Sequence, residues 1–120
     1  MLLVDAANVV GSRPTGWWRD RAGAAAAFVE RVREACASGR LSGPVIVVVE
    51  GQARPGVEEG ERDGVTVAHA AGEGDDTIVG LAASAGRPVV VVTADRRLAE
   101  RCRQVEAEVV GPRWLLDRLP

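Results

Sequence analysis

Acidic residues recur along this chain at the ends of apolar stretches, and this placement is the first sign of chemistry. The five acids lie at or just beyond apparent buried strands: Asp5, Glu50, Asp75, Asp76 and Asp95. Taken singly, an aspartate in such a place is a common helix cap, because its carboxylate accepts from free N–H groups of the first turn. Capping does not explain the set, because clustered carboxylates raise one another's pKa and a divalent cation relieves that repulsion. Oxygen ligands without a histidine or cysteine cluster favour Mg²⁺ or Mn²⁺ over zinc.

The elements that position these acids alternate between strands and helices. The apolar runs "LLVD", "PVIVVVEG", "VTVAHA", "RPVVVVTA" and "AEVV" predict five strands, separated by helical stretches such as "DRAGAAAAFVERVREACASG". Strands buried on both faces and joined by helices form a parallel sheet covered on both sides. We therefore predict an α/β fold with a five-stranded parallel sheet. The carboxyl ends of its strands share one rim, where ligands gather in such folds.

Length and composition indicate an ordinary globular chain. The 120 residues predict a single domain over 1–120, with 47% apolar and 27% charged residues. No apolar run reaches membrane-spanning length and no signal peptide is visible, so we expect a cytoplasmic protein without membrane partners. Cys36 and Cys102 lack the spacing of a metal site and are read as reduced thiols, with a disulfide as the alternative.

The charged residues exclude several classes of α/β protein. All 15 basic side chains are arginine. Without lysine there is no phosphate-loop lysine, no Schiff base and no receiver-domain lysine. Ala7 stands where a haloacid-dehalogenase phosphatase needs its second aspartate, and "DAANVVG" is not the glycine-rich turn of a dinucleotide-binding fold.

Three motifs, in order, resemble one nuclease family. "LLVDAANVV" looks like the first strand of NYN domains, a branch of the PIN-like superfamily, with its Asp-x-x-Asn signature. "GDDTIVGLAA" resembles their acidic helix start, and "VVVTADRRL" their strand followed by Thr-x-Asp. The match covers nearly the whole chain and is similar to the small bacterial YacP-like group. "VVVEG" departs from the pattern, since many relatives carry an aspartate where Glu50 stands.

The resemblance implies a metal-dependent ribonuclease, an endonuclease that hydrolyses phosphodiester bonds of single-stranded RNA. Its fold would be three-layer and PIN-like, or Rossmann-like, and its cofactor Mg²⁺ or Mn²⁺, which activates a water and stabilises the leaving oxygen. Asp5 and Asp95 would ligate the metal. If they share it, strands one and four are neighbours, which gives the order 3-2-1-4-5.

The remaining site residues follow from the same resemblance. Asp75 and Asp76 would complete the metal shell. Glu50 either reaches the metal or is a lost ligand. Asn8 would orient Asp5 or the substrate phosphate, and Thr93 would hydrogen-bond a metal-bound water or a carboxylate.

Candidate RNA contacts follow the first strand. Arg13, Arg19 and Arg21 are expected near the rim, where arginine binds phosphate. Trp17 and Trp18 lie among them, and one of the two is a candidate to stack on a base. The alternative is that both pack in the core; we expect one to be packed and one partly exposed. The net charge of −2 does not look like an RNA binder, but without the five acids the rest of the chain is net positive.

Other functions stay open at this stage. The main alternative is a catalytically decayed PIN-like domain that binds RNA or acts as a scaffold, which Glu50 favours and the other acids oppose. A homodimer, a regulatory protein partner and a toxin role are also open. Metal titration distinguishes the nuclease from the decayed domain.

Overall fold

The computed structural model describes residues 1–120, which form one sheet with helices on both faces. The strands are β1 (Leu2–Asp5), β2 (Val45–Val49), β3 (Gly60–Arg62), β4 (Val65–His69), β5 (Val90–Val92) and β6 (Glu108–Val110). The helices are α1 (Ala6–Gly11), α2 (Arg21–Ala37), α3 (Gly74–Ser84), α4 (Arg96–Gln104) and α5 (Pro112–Leu116). Two 3-10 turns, Trp17–Arg19 and Gly51–Gly56, complete the chain.

The sheet has the order β3-β4-β2-β1-β5-β6. The predicted α/β class is confirmed, but the prediction of five parallel strands is wrong, because the sheet has six strands and β3 runs antiparallel to β4. The other five strands pair in parallel and keep the predicted relative order, with β1 between β2 and β5. The polar stretch "GQARPGVEEGERDG" holds both a 3-10 turn and β3.

Alternation along the strands divides the core into two halves. On β1, Leu2 and Val4 contribute to one cluster with α2 and α5, whereas Leu3 contributes to the other with α3 and α4. Both faces of the central strands are therefore buried, as expected for parallel strands with helices on either side. None of the helices has the length and apolar character needed to cross a bilayer.

The chain after β1 turns at once into α1, which sequence patterning missed. Asp5 is the N-cap of α1, and Asp20 caps α2 by accepting from Gly23 N at 2.9 Å. The Gly51–Gly56 turn packs directly on α2. A Cβ at Gly56 would lie 2.0 Å from the Ala22 carbonyl oxygen, so only glycine permits this approach. These contacts place α1, α2 and the turn around the carboxyl ends of β1 and β2.

Candidate active site

Asp5 is a buried carboxylate at the end of a central strand. It is 8% exposed, and both of its oxygens accept hydrogen bonds: Oδ1 from Asn8 N at 3.4 Å, and Oδ2 from the Thr93 hydroxyl at 3.0 Å. Burial raises the pKa of Asp5 from its usual 3.8 to about 6; the two hydrogen bonds oppose the rise, and Asp75 and Glu50 add to it. Asp5 is therefore both a helix cap and one wall of an acidic site.

Thr93 connects Asp5 to the beginning of α4. It is 2% exposed, and its hydroxyl donates to Asp5 while accepting from Asp95 N at 3.1 Å. Asp95 caps α4 through Oδ1, which accepts from Arg97 N at 2.9 Å and Leu98 N at 3.1 Å. Of the two roles predicted for Thr93, the structure has the hydrogen bond to a carboxylate. Asp95 keeps Oδ2 free of hydrogen bonds within the chain.

Asn8 ties α1 to the loop after β5. Its Oδ1 accepts from Ala94 N at 2.7 Å. Because a backbone N–H only donates, the partner atom is the side-chain oxygen, so the orientation of the amide is fixed. The Asn8 NH₂ group makes no hydrogen bond within the chain and is the free end of the side chain. Only the backbone N–H of Asn8 bonds to Asp5.

Glu50 binds the N-terminus of α3. Its Oε2 accepts from Gly74 N in a short hydrogen bond. Neither Asp75 nor Asp76 has the capping role that is common for a single aspartate: the N-cap residue is Glu73, which makes no side-chain cap bond, and both aspartates lie inside the first turn. Glu50, on a different element, supplies the acceptor instead, because the end of β2 lies beside this turn.

Asp75 and Asp76 lie in different environments although they are adjacent. Asp75 is half-buried. Burial is the largest cause that raises its pKa, and the negative charges of Asp95, Glu50 and Glu73 raise it further. The positive charge of Arg101 lowers it. Asp76 has an 88% exposed side chain whose Oδ1 pairs with Arg101 Nη2 at 2.8 Å. The structure thus brings Asp75 to the acidic site and directs Asp76 to an arginine at the surface.

Four acids therefore share one electrostatic environment. The charges of Asp75 and Glu50 raise the pKa of Asp5, and the charges of Asp95 and Glu50 raise the pKa of Asp75. All four acids belong to the carboxyl rim of the sheet. No three acidic, histidine or cysteine side chains are close enough together to hold one ion jointly. Mg²⁺ keeps several waters and binds through one or two carboxylates plus substrate phosphates, so an all-oxygen set of separated carboxylates fits it.

The two tryptophans follow the predicted division. Trp17 is half-buried and lines a cavity beside Glu50, whereas Trp18 is 52% exposed. Their rings meet edge to face with centroids 6.0 Å apart. The Arg21 guanidinium lies 5.3 Å from the Trp17 centroid, and that of Arg19 lies 5.8 Å from the Trp18 centroid.

Two further residues at this rim were missed by sequence reasoning. Arg13 lines a surface cavity with Arg113 of α5, next to Ala94. No motif singles out Arg113, because it is distant in sequence and follows a helix-starting proline. Glu73 lines the Trp17 cavity together with Glu50. Its position two residues before Asp75 was the available signal.

The single histidine and the two cysteines have structural roles. His69 Nε2 is 2.6 Å from the Val57 carbonyl oxygen. Cys36 is half-buried and Cys102 buried, both as free thiols. Burial raises the pKa of each thiol.

Comparison with known proteins gives a structural relative. The fold is similar to the crystal structure of a mutant of Rae1 (YacP) from Bacillus subtilis, with a TM-score of 0.65 and 21% identity over 97% of this chain and 71% of that chain. No family model matches the chain, and no curated protein matches it significantly. The chain has a YacP-like fold. At this identity the likeness concerns the fold alone, and the activity has to be argued from the site.

Proposed function

We propose that this protein is a metal-dependent ribonuclease that cleaves single-stranded RNA internally at the carboxyl rim of its sheet. The observation that carries the proposal is the buried Asp5, with its raised pKa, in the same electrostatic environment as Glu50, Asp75 and Asp95. Burying one acid among others costs stability unless a cation binds there. The YacP-like fold and the motif resemblance to NYN domains support the same activity.

The residues divide the work as follows. Asp5 and Asp95 would hold Mg²⁺ or Mn²⁺ directly, and Asp75 would complete the shell through a bound water. The metal would supply an activated water and stabilise the leaving oxygen. Thr93 fixes the rotamer of Asp5 by its hydrogen bond and orients the Asp95 backbone. The free NH₂ of Asn8 is placed to donate to a phosphate oxygen.

The basic side chains would hold the RNA strand on either side of the acids. Arg21 lies beside the Trp17 cavity and Arg13 beside Arg113 near Ala94. Arginine pairs with phosphate through two parallel N–H donors. In cells this activity would operate in the cytoplasm with RNA as the partner.

Asp5→Asn tests the proposal, because it keeps the size of the side chain and removes the charge. Parent and variant are incubated with labelled RNA and Mg²⁺ or Mn²⁺. Cleavage is expected to fall by orders of magnitude, as losses of central catalytic groups do. Asp63→Asn is the matched control: Asp63 is exposed in a turn at φ 55°, where asparagine is well tolerated. A parent that cuts no RNA, or an Asp5→Asn enzyme that cuts at the parent's rate, overturns the assignment.

One observation favours a second candidate, the decayed RNA-binding or scaffold domain. Glu50 already uses one carboxylate oxygen on Gly74 N, which is a structural role. This candidate predicts RNA binding that is unchanged by Mg²⁺ and by Asp5→Asn.

A further inference from the structure

A cavity of about 320 Å³ adjoins the acidic site: Glu50 belongs to both, and Ala6, the residue after Asp5, lines the cavity. Its apolar floor comes from α1, α2 and the Gly51–Gly56 turn, through Ala6, Val10, Ala25 and Ala53. The volume is at the lower end of the range for small-molecule sites, about 300–1,000 Å³. The cavity has room for a flat ring system.

An aromatic side chain held in a defined position forms one wall. The Trp17 ring lies over the end of α1, where a Cβ on Gly11 would be only 3.5 Å from its Cζ2. The Arg21 guanidinium lies over the same ring, and the Trp18 ring meets it edge to face. A fixed indole beside an apolar floor is a stacking platform, and every nucleobase has a face that stacks on it. Stacking alone does not distinguish the bases.

The polar groups at the rim supply the selectivity. Glu50 and Glu73 both line the cavity. Glu50 has one oxygen committed to Gly74 N and one free, and Glu73 makes no hydrogen bond within the chain. Carboxylates only accept, so a base that faces them has to present donors. Arg21, with donors only, requires acceptors on the base.

Guanine satisfies both requirements. Its N1–H and N2–H₂ are adjacent donors that suit one carboxylate, and its O6 and N7 are acceptors that suit a guanidinium. Adenine and cytosine have an acceptor atom beside their amino group, and uracil has carbonyl groups on both sides of its N–H. When any of these bases faces a carboxylate, one of its acceptor atoms is therefore opposite an oxygen that cannot donate.

We propose that this cavity binds a guanine base of the RNA strand, next to the phosphate at the acidic site. The proposal rests on the proposed function in that the base belongs to the strand being cleaved. It assigns Trp17 as the stacking platform and Glu73, with the free oxygen of Glu50, as the acceptors that select guanine.

The test measures nucleoside binding without metal, so that it does not depend on cleavage. Guanosine, inosine, adenosine, cytidine and uridine are titrated in EDTA, and the tryptophan indole N–H signals are followed by two-dimensional NMR. Guanosine is expected to shift the Trp17 signal and to bind about tenfold more tightly than adenosine, within the discrimination of a good bidentate pair. Inosine, which lacks the 2-amino group, is expected to bind more weakly than guanosine.

Variants locate the site. Trp17→Leu is expected to abolish guanosine binding, whereas Trp17→Phe, which keeps an aromatic face, is expected to retain part of it. Ala7→Leu fills the cavity from an exposed helix position that lines it, and is expected to abolish binding without disturbing the core. Glu73→Gln is expected to weaken guanosine and leave adenosine unchanged, with Glu34→Gln on α2 as its control.

Two outcomes overturn the proposal: guanosine binding no tighter than adenosine, or guanosine binding that survives both Trp17→Leu and Ala7→Leu. Cleavage of RNA by the same preparation is measured separately with Mg²⁺. Cleavage without guanosine binding removes the guanine site and leaves the nuclease. Guanosine binding at Trp17 without cleavage of any RNA supports the pocket and removes the nuclease.

Discussion

The Thr93 hydroxyl donates to Asp5 Oδ2 at 3.0 Å across 88 residues of chain, and both side chains are buried. The bond joins neighbouring strands β1 and β5 at their carboxyl ends. It stabilises the charged form of Asp5, which burial destabilises, and so lowers the pKa of that carboxyl.

Replacing Thr93 by valine is expected to raise the pKa of Asp5 further. Valine keeps the shape of the side chain but removes the donor to Asp5 and the acceptor for Asp95 N, at a cost of about 1–3 kcal/mol in stability. Thr93→Ser keeps the hydroxyl and is the control. The carboxyl ¹³C chemical shift of Asp5, followed against pH by NMR, measures the effect. An unchanged pKa of Asp5 in Thr93→Val contradicts this prediction.

Asp5 is expected to make stability depend on pH in an unusual direction. Because its pKa is about 6 in the folded chain and near 3.8 in the unfolded chain, the folded state binds more protons between these values. The free energy of unfolding therefore falls as pH rises from about 4 to about 6, by about 3 kcal/mol from this group, and then levels off.

Urea denaturation in EDTA at several pH values isolates this contribution. The stability of Asp5→Asn relative to the parent is expected to rise across that pH window, because asparagine does not ionise. A difference that stays constant from pH 4 to pH 7 shows that Asp5 titrates normally.

Asp75 and Asp76 are expected to respond differently to the same substitution. Asp75→Asn removes an acid from the site and is expected to lower cleavage by orders of magnitude. Asp76→Asn removes only a surface pair with Arg101, worth less than about 1 kcal/mol, and is expected to change cleavage less than about tenfold. Cleavage rates of the two variants test this difference. Equal losses of rate would place Asp76 in the metal shell.

Mg²⁺ or Mn²⁺ is expected to raise the melting temperature, because it relieves carboxylate repulsion and binds the unfolded chain poorly. At about ten times its Kd a ligand adds about 1.4 kcal/mol, or roughly 4–8 °C for a small domain. Zinc is expected to show no special preference. Asp5→Asn should lose most of the shift in a thermal melt. No shift at millimolar Mg²⁺ in the parent would favour the decayed domain.

The sequence predicts most of the acids at the carboxyl rim of the sheet, because the end of a buried strand is visible as the last residue of an apolar run. The α/β class follows from that pattern, whereas the relative order of the five apolar strands was predicted from the requirement that Asp5 and Asp95 share a metal. The pattern does not show β3, since "GER" becomes a strand only by pairing with β4. Nor does it show the bond between Glu50 and Gly74, because side-chain direction depends on how β2 and α3 pack.

The two edge strands of the sheet affect how the protein associates with itself at high concentration. One margin is β3, three exposed residues that include Glu61 and Arg62 and begin with Gly60 at φ 118°. The other is the equally short β6. Short, charged or twisted edge strands are poor templates for another chain to add a strand. Addition of strands from copy to copy is thus discouraged, which favours the helical faces as the contact surface of any dimer.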